Sequence, residues 1–178
     1  MTAPAPAVTP PSAGWFPTNQ DLDPRRLREA FGIFPSGVVA VAAEVDGTLV
    51  GLAASSFTSV SLDPPLVSFS IANTSKTWPD LRRAPHLGVS ILAEDHGVVA
   101  RQLAGPVDER FDGLDLHVGP DGAVTLADGL ASFDTTIYEE VEAGDHTIVL
   151  LRLHAVQRTE PRSPLVFHGS TFRRLMVD

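Results

Sequence analysis

Cysteine is absent from the chain, which removes a disulfide framework, a thiol nucleophile and a thiolate zinc site together and fits a reducing cytoplasm. No apolar run approaches the ~20 residues that a membrane-spanning helix requires, so no membrane partner is expected. The opening MTAPAPAVTPPSAG has neither the basic nor the apolar section of a secretory leader. Several motifs are missing as well. There is no G-x-G-x-x-G after a strand, no G-x-x-x-x-G-K-S/T and no G-x-S-x-G, which disfavours Rossmann, P-loop and α/β-hydrolase readings. None of the six histidines (His86, His96, His117, His146, His154 and His168) falls in an H-E-x-x-H pattern, so no metal site is expected. Thirteen Lys and Arg against 22 Asp and Glu give a net charge of −9. That balance argues against nucleic acid as a partner. An acidic chain that binds a phosphate must do so through local devices acting against its global field.

What is present fits one domain. A chain of 178 residues with 43 % hydrophobic composition is long enough for a proper core. The proline-rich residues 1–20 predict a flexible arm ahead of a domain over 21–178, or else an arm that reaches a partner subunit through Trp15 and Phe16. Asp23-Pro24 predicts an N-cap with proline in the first turn, opening a helix that has Leu27, Ala30, Phe31 and Phe34 on one face and stops at Pro35. Val38 to Val45 reads as a strand buried on both faces, and Asp46-Gly47 as the hairpin turn that follows it. Alternation over Ala54–Leu62 and Leu66–Ile71 predicts two strands around a stiff Asp63-Pro64-Pro65 corner, because proline cannot continue a central ladder. Pro79 sets a helix start at or just after Thr77. Further strands are expected at Leu87–Leu92, Leu116–Val118, Val124–Leu126, Ala131–Val141 and Thr147–Arg158. A short helix capped by Asp95 carries Val99 and Leu103. Leu165–His168 and Thr171–Leu175 are expected to close the sheet. The fold class is mainly β, an antiparallel barrel with a few peripheral helices.

Two stretches have chemical potential. Ala54, Ser55, Ser56, Phe57 and Thr58 offer hydroxyls and backbone N–H groups with little bulk, a ledge suited to a flat polar ring. Ser75, Lys76 and Thr77 precede a helix, where unpaired N–H groups and a lysine favour a phosphate; a plain N-cap is the simpler reading of the same residues.

The strings FPSGVVAVAA at 34–43, GLAASSFTSVSLDPPLVSFSI at 51–71, SKTW at 75–78 and GDHTI at 144–148 resemble the flavin reductase-like family. The resemblance runs from about Leu27 to Phe172. It implies an FMN-binding split β-barrel and an NAD(P)H-dependent flavin reductase, passing hydride from NADH or NADPH to FMN, with FAD possible, and supplying a separate monooxygenase with reduced flavin. It further implies a homodimer with the flavin near the subunit interface. Under this resemblance Ala54–Thr58 hold the flavin ring and ribityl chain, and Ser75, Lys76 and Thr77 take the phosphate. Arg110 and Phe111 match a basic-Phe pair that holds flavin or its phosphate, although a solvated arginine is an equal reading of Arg110. His146 in Gly-Asp-His orients nicotinamide or the flavin edge, whereas by residue type alone it reads as a turn histidine. His168 and Phe172 line the nicotinamide pocket. The chain departs from the family in having Phe172 where tyrosine is usual, Leu151 and Arg152 where a glycine and an acidic residue are common, and no threonine at Ala53-Ala54. An FMN-retaining oxidase, a non-catalytic flavin carrier and a haem-binding relative are the alternatives on such a scaffold.

Overall fold

A computed structural model describes residues 23–159 and 162–175; the expected arm over 1–20, with Trp15 and Phe16, lies outside the described residues. In chain order the elements are α1 (Pro24–Phe31), β1 (Ser36–Gly37), β2 (Val39–Val45), β3 (Thr48–Ala54), β4 (Thr58–Leu62), β5 (Pro65–Ala72), α2 (Trp78–Leu81), β6 (Leu87–Ile91), α3 (Gly97–Leu103), β7 (Leu116–Val118), β8 (Val124–Leu126), β9 (Ala131–Ala143), β10 (His146–Arg158), β11 (Val166–His168) and β12 (Thr171–Arg173). Seven strands form one antiparallel sheet in the order β3-β2-β6-β9-β10-β5-β4.

The two edges of that sheet, β3 and β4, are consecutive in the chain and separated only by Ser55-Ser56-Phe57. With about 3.3–3.6 Å of reach per residue, so short a link forces the edges together, and the sheet must roll up on itself. The roll stays open at this seam because β3 and β4 do not pair, which makes the barrel a split one. The continuous alternation from Ala54 to Leu62 therefore corresponds to two strands on opposite edges and the step between them. Ser56 explains the step physically. Its hydroxyl accepts from the Ser70 N–H at 2.9 Å and donates to the Ser70 carbonyl at 3.1 Å, replacing the ladder that β4 would otherwise extend along β5.

β2 carries the core. It is buried from Val39 to Ala43, as a strand flanked on both faces should be. Val39 and Val41 face the barrel interior with Leu52, Phe69, Leu87, Val89, Val149 and Leu151, and α2 closes one end with Trp78 and Leu81. Val38 and Ala40 face a second cluster with Leu92, Ala100, Leu103, Leu126 and Leu165. Each such aliphatic side chain contributes roughly 1.5–3 kcal/mol by leaving water. On β10, Val149 and Leu151 are fully buried while Ala155 is exposed, because a register shift between Leu153 and Ala155 breaks the alternation. The Asp46-Gly47 turn has positive φ at both residues, 52° and 77°, as a tight hairpin demands.

Other expectations need correction. α1 ends at Phe31, capped by Gly32, and buries nothing; Phe31, Ile33 and Phe34 are 70, 71 and 78 % exposed. Its N-terminus is as expected, with the Asp23 side chain accepting from the Arg25 N–H at 3.0 Å. α3 begins after His96, and no side chain caps it. His96 is instead a buried brace, taking the Ala93 N–H on Nδ1 at 3.1 Å and meeting the Asp128 carboxylate through Nε2 at 3.1 Å. β11 and β12 do not close the main sheet; they pair with β1 in a separate three-stranded sheet, since Ser36 and Gly37 offer β11 an edge.

Candidate functional site

Three of the expected site stretches, at Ser56, His146 and Ser75–Thr77, lie along the C-terminal part of β5. Ser56 is clipped to Ser70, and two residues further along, about 7 Å of strand, Ala72 lies opposite His146 of β10. The chain then turns through Asn73 into Ser75-Lys76-Thr77. The Asn73 amide donates to the Gly144 carbonyl at 3.2 Å, and its oxygen accepts from the Thr147 hydroxyl at 2.9 Å, tying this turn to the β9–β10 turn.

Within the ledge the side chains divide. Ser55 is exposed, and its hydroxyl has no hydrogen-bond partner among the described residues. The Ser56 hydroxyl is engaged by Ser70. Phe57 turns inward to stack on Phe133 at 6.1 Å with an interplanar angle of 16°, so only its backbone remains for a ligand. The Thr58 hydroxyl donates locally to the Ser59 carbonyl at 3.4 Å. Next to the ledge is a slot of about 190 Å³ lined by Val38, Ala53, Ala54, Ser55, Ala100, Ala104, Phe167 and Phe172. Its walls are small side chains on β3 and α3 and two phenyl rings on the β11–β12 hairpin. Ala100 and Ala104, one turn apart on the same helix face, are walls that the sequence reading did not single out; small residues at i and i+4 were the available signal. Phe167 and Phe172 are direct cross-strand partners and share the slot face. His168 and Thr171, the next pair, point to the opposite face, so His168 is not brought to this slot.

The Ser75–Thr77 corner, linked through Arg110 to Gly51 in the middle of β3, has a different character. α2 is a single four-residue turn, too short for a substantial macrodipole. Two of its leading N–H groups, Thr77 and Trp78, are taken by the Ser75 hydroxyl at 3.3 and 3.2 Å. Ser75 is thus the cap of the simpler reading, and the expected helix-end contribution to phosphate binding is weak. Lys76 is exposed and has no ion-pair partner among the described residues. Thr77, 8 % exposed, accepts from Arg110 Nη1 at 2.8 Å. Arg110 also donates to the Gly51 carbonyl at 2.8 Å and the Gly105 carbonyl at 3.0 Å, so it is a brace between β3, α2 and the α3 loop and not a solvated arginine. Gly51 is glycine for steric reasons: a Cβ would stand 2.7 Å from the Phe111 ring and 2.8 Å from the Val41 carbonyl oxygen.

His146 is half-exposed, with Nδ1 2.7 Å from the Asp145 carboxylate. This hydrogen bond, then the charge of His146, holds the Asp145 carboxyl below its ordinary value. Among the described residues no group of three or more His, Cys, Asp or Glu could hold a metal, and no helix is long and apolar enough to cross a membrane.

The family model for the flavin reductase like domain matches residues 31–176. The chain belongs to this flavin reductase-like family. A probable flavin reductase from Rhizobium meliloti (strain 1021) is 38 % identical over 143 residues, covering 80 % of this chain and 46 % of that protein. The reductase subunit of a flavin-dependent monooxygenase from Rhodococcus jostii is 31 % identical, over 88 % of this chain and 80 % of its own. The chain thus spans about half the length of the first of these relatives and most of the second. The solved structure of a Streptomyces globisporus NADH:FAD oxidoreductase, in complex with NAD and FAD fragments, has a TM-score of 0.82 and 34 % identity, covering 89 % of this chain and 98 % of that one. Membership in the flavin reductase-like family agrees with the split seam between β3 and β4.

Proposed function

We propose that this chain is an NAD(P)H-dependent flavin reductase that passes hydride from NADH or NADPH to FMN or FAD and releases reduced flavin to a separate monooxygenase. The observation that carries the reading is the slot beside the ledge, which gathers Ala54, Ser55, Ala100 and Phe172 around one opening. Bound flavin supplies the hydride-accepting ring. The chain supplies position and a water-poor wall. Ser55 and the backbone of Ala54–Thr58 hold the polar edge of the ring, and Ala53, Ala100 and Ala104 leave room for its apolar part. Gly51 to Ala54 is about 10 Å of strand, a separation suited to a ribityl chain running from the ledge to Lys76 and the Thr77 hydroxyl, with Ser75 and Arg110 holding that corner in shape. His146, oriented by Asp145, aligns the nicotinamide. These local cations and hydroxyls offset the net charge of −9 for an anionic ligand.

The exposed apolar residues Val60, Leu62, Tyr138 and Val156 on β4, β9 and β10 support a homodimer that covers some of this apolar surface, and a cysteine-free chain is suited to the cytoplasm. Mixing the protein anaerobically with FMN or FAD and then NADH or NADPH tests the function. Bleaching of the flavin absorbance at catalytic protein concentration is expected. Flavin that stays bound and oxidised would replace the reading with a flavin-storing protein.

A further inference from the structure

Arg101 stands on the rim of the slot. It lies in the last turn of α3, one residue from the wall residue Ala100, with its guanidinium carbon 5.4 Å from the centre of the Phe172 ring. That contact fixes the guanidinium plane through cation–π attraction without engaging any of its five N–H donors. The side chain is exposed and has no hydrogen bond or ion pair among the described residues. Gly97 lies beside the pair: a Cβ there would be 3.7 Å from Phe172 and 3.9 Å from Arg101 Nη2, ordinary contact distances. Arg110 has the opposite surroundings, with its Nε and Nη1 donors taken by protein acceptors.

A planar, pre-oriented guanidinium with free donors matches a phosphate or pyrophosphate, which it can grip in bidentate fashion. A nicotinamide ring stacked on the ledge-bound flavin, on its Phe172 side, would leave the ribose and pyrophosphate toward the mouth of the slot, where Arg101 stands. We propose that Arg101 binds the pyrophosphate of the nicotinamide dinucleotide and is a specificity-determining residue for the nucleotide over smaller hydride donors. This rests on the reductase reading. The flavin phosphate is assigned elsewhere, to the Lys76 corner that Arg110 ties to Gly51, so the two anions have separate cations.

The test compares wild type with Arg101→Gln and Arg101→Lys in the flavin-loaded protein. It measures equilibrium binding and turnover of NADH beside reduced nicotinamide riboside, which has the ring and ribose but no phosphate. Losing a charge-assisted contact is expected to weaken NADH binding about tenfold in Arg101→Gln, raising KM with kcat unchanged. The riboside and FMN affinities stay at their wild-type values, and Arg101→Lys falls between. Equal losses for NADH and the riboside would reduce Arg101 to packing on Phe172 and overturn the proposal. A loss confined to FMN relative to riboflavin would move Arg101 to the flavin phosphate and also overturn it. Unchanged NADH binding would do the same. If the reductase reading itself fails, wild type binds and oxidises neither hydride donor, which separates that failure from this one.

Discussion

Arg110, bonded to β3, and Arg101, on α3, have opposite surroundings. Arg110 is partly buried and bonded to two carbonyls and the Thr77 hydroxyl; Arg101 is exposed and lies over a phenyl face, with no side-chain hydrogen bond among the described residues. An arginine with its donors engaged by the protein holds geometry. One with its donors free is available to a ligand. The same residue type therefore contributes mainly to the fold in one place and to recognition in the other, and the number of engaged N–H groups separates the two roles.

The sharpest way to break this comparison is Arg110→Leu. It leaves the Gly51 and Gly105 carbonyls and the Thr77 hydroxyl without their donor, and unpaired semi-buried acceptors are costly. Chemical denaturation should show a loss of about 2–4 kcal/mol, against a change within about 0.5 kcal/mol for Arg101→Gln. Comparable losses for the two would erase the distinction. The neighbouring glycines sharpen it further. Gly51→Ala forces a methyl to 2.7 Å from Phe111 and 2.8 Å from the Val41 carbonyl, and should destabilise by about 1–3 kcal/mol. Gly97→Ala meets Phe172 and Arg101 only at ordinary contact distances and should change stability by less than about 1 kcal/mol. Urea titration of the pair measures both.

Lys76→Ala tests the corner by affinity instead of stability. FMN binding, followed by flavin fluorescence, should weaken about tenfold, roughly 1.4 kcal/mol, while riboflavin binding holds. Equal losses would remove Lys76 from the phosphate. The smallest effect concerns Asp145. Its carboxyl is held below the ordinary 3.8 chiefly by the His146 hydrogen bond. A lowered carboxyl pKa stabilises the fold above the ordinary range, and that contribution fades as pH falls through the lowered value. An NMR titration should find the Asp145 midpoint below 3.8 in wild type and back near it in His146→Ala.

What was legible in the sequence follows from how local the deciding physics is. Asp46-Gly47, Asp63-Pro64-Pro65 and Pro79 act on their own backbone, so the β2–β3 hairpin, the corner before β5 and the start of α2 could be read directly. Strands β7 and β8 were predicted to the residue. The break at Ser55–Phe57 could not be read, because alternation runs through it and only the meeting of two distant sheet edges requires it. The Ser56 bond to Ser70 is likewise a contact that no local pattern announces. The β11–β12 hairpin was recognisable as a hairpin, but its pairing with Ser36 and Gly37 depends on an edge far away in sequence. In the site, resemblance brought Arg110 and Phe172 forward, yet the braced geometry of Arg110 and the phenyl-stacked Arg101 became visible only once β3, α2, α3 and the C-terminal hairpin were assembled.

The most direct test of the central claim is a crystal structure of the protein with FMN. The flavin ring is expected on the Ala54–Ser55 ledge facing Phe172, with its phosphate on Lys76 and Thr77. A ledge left bare while FMN binds at another surface would contradict it.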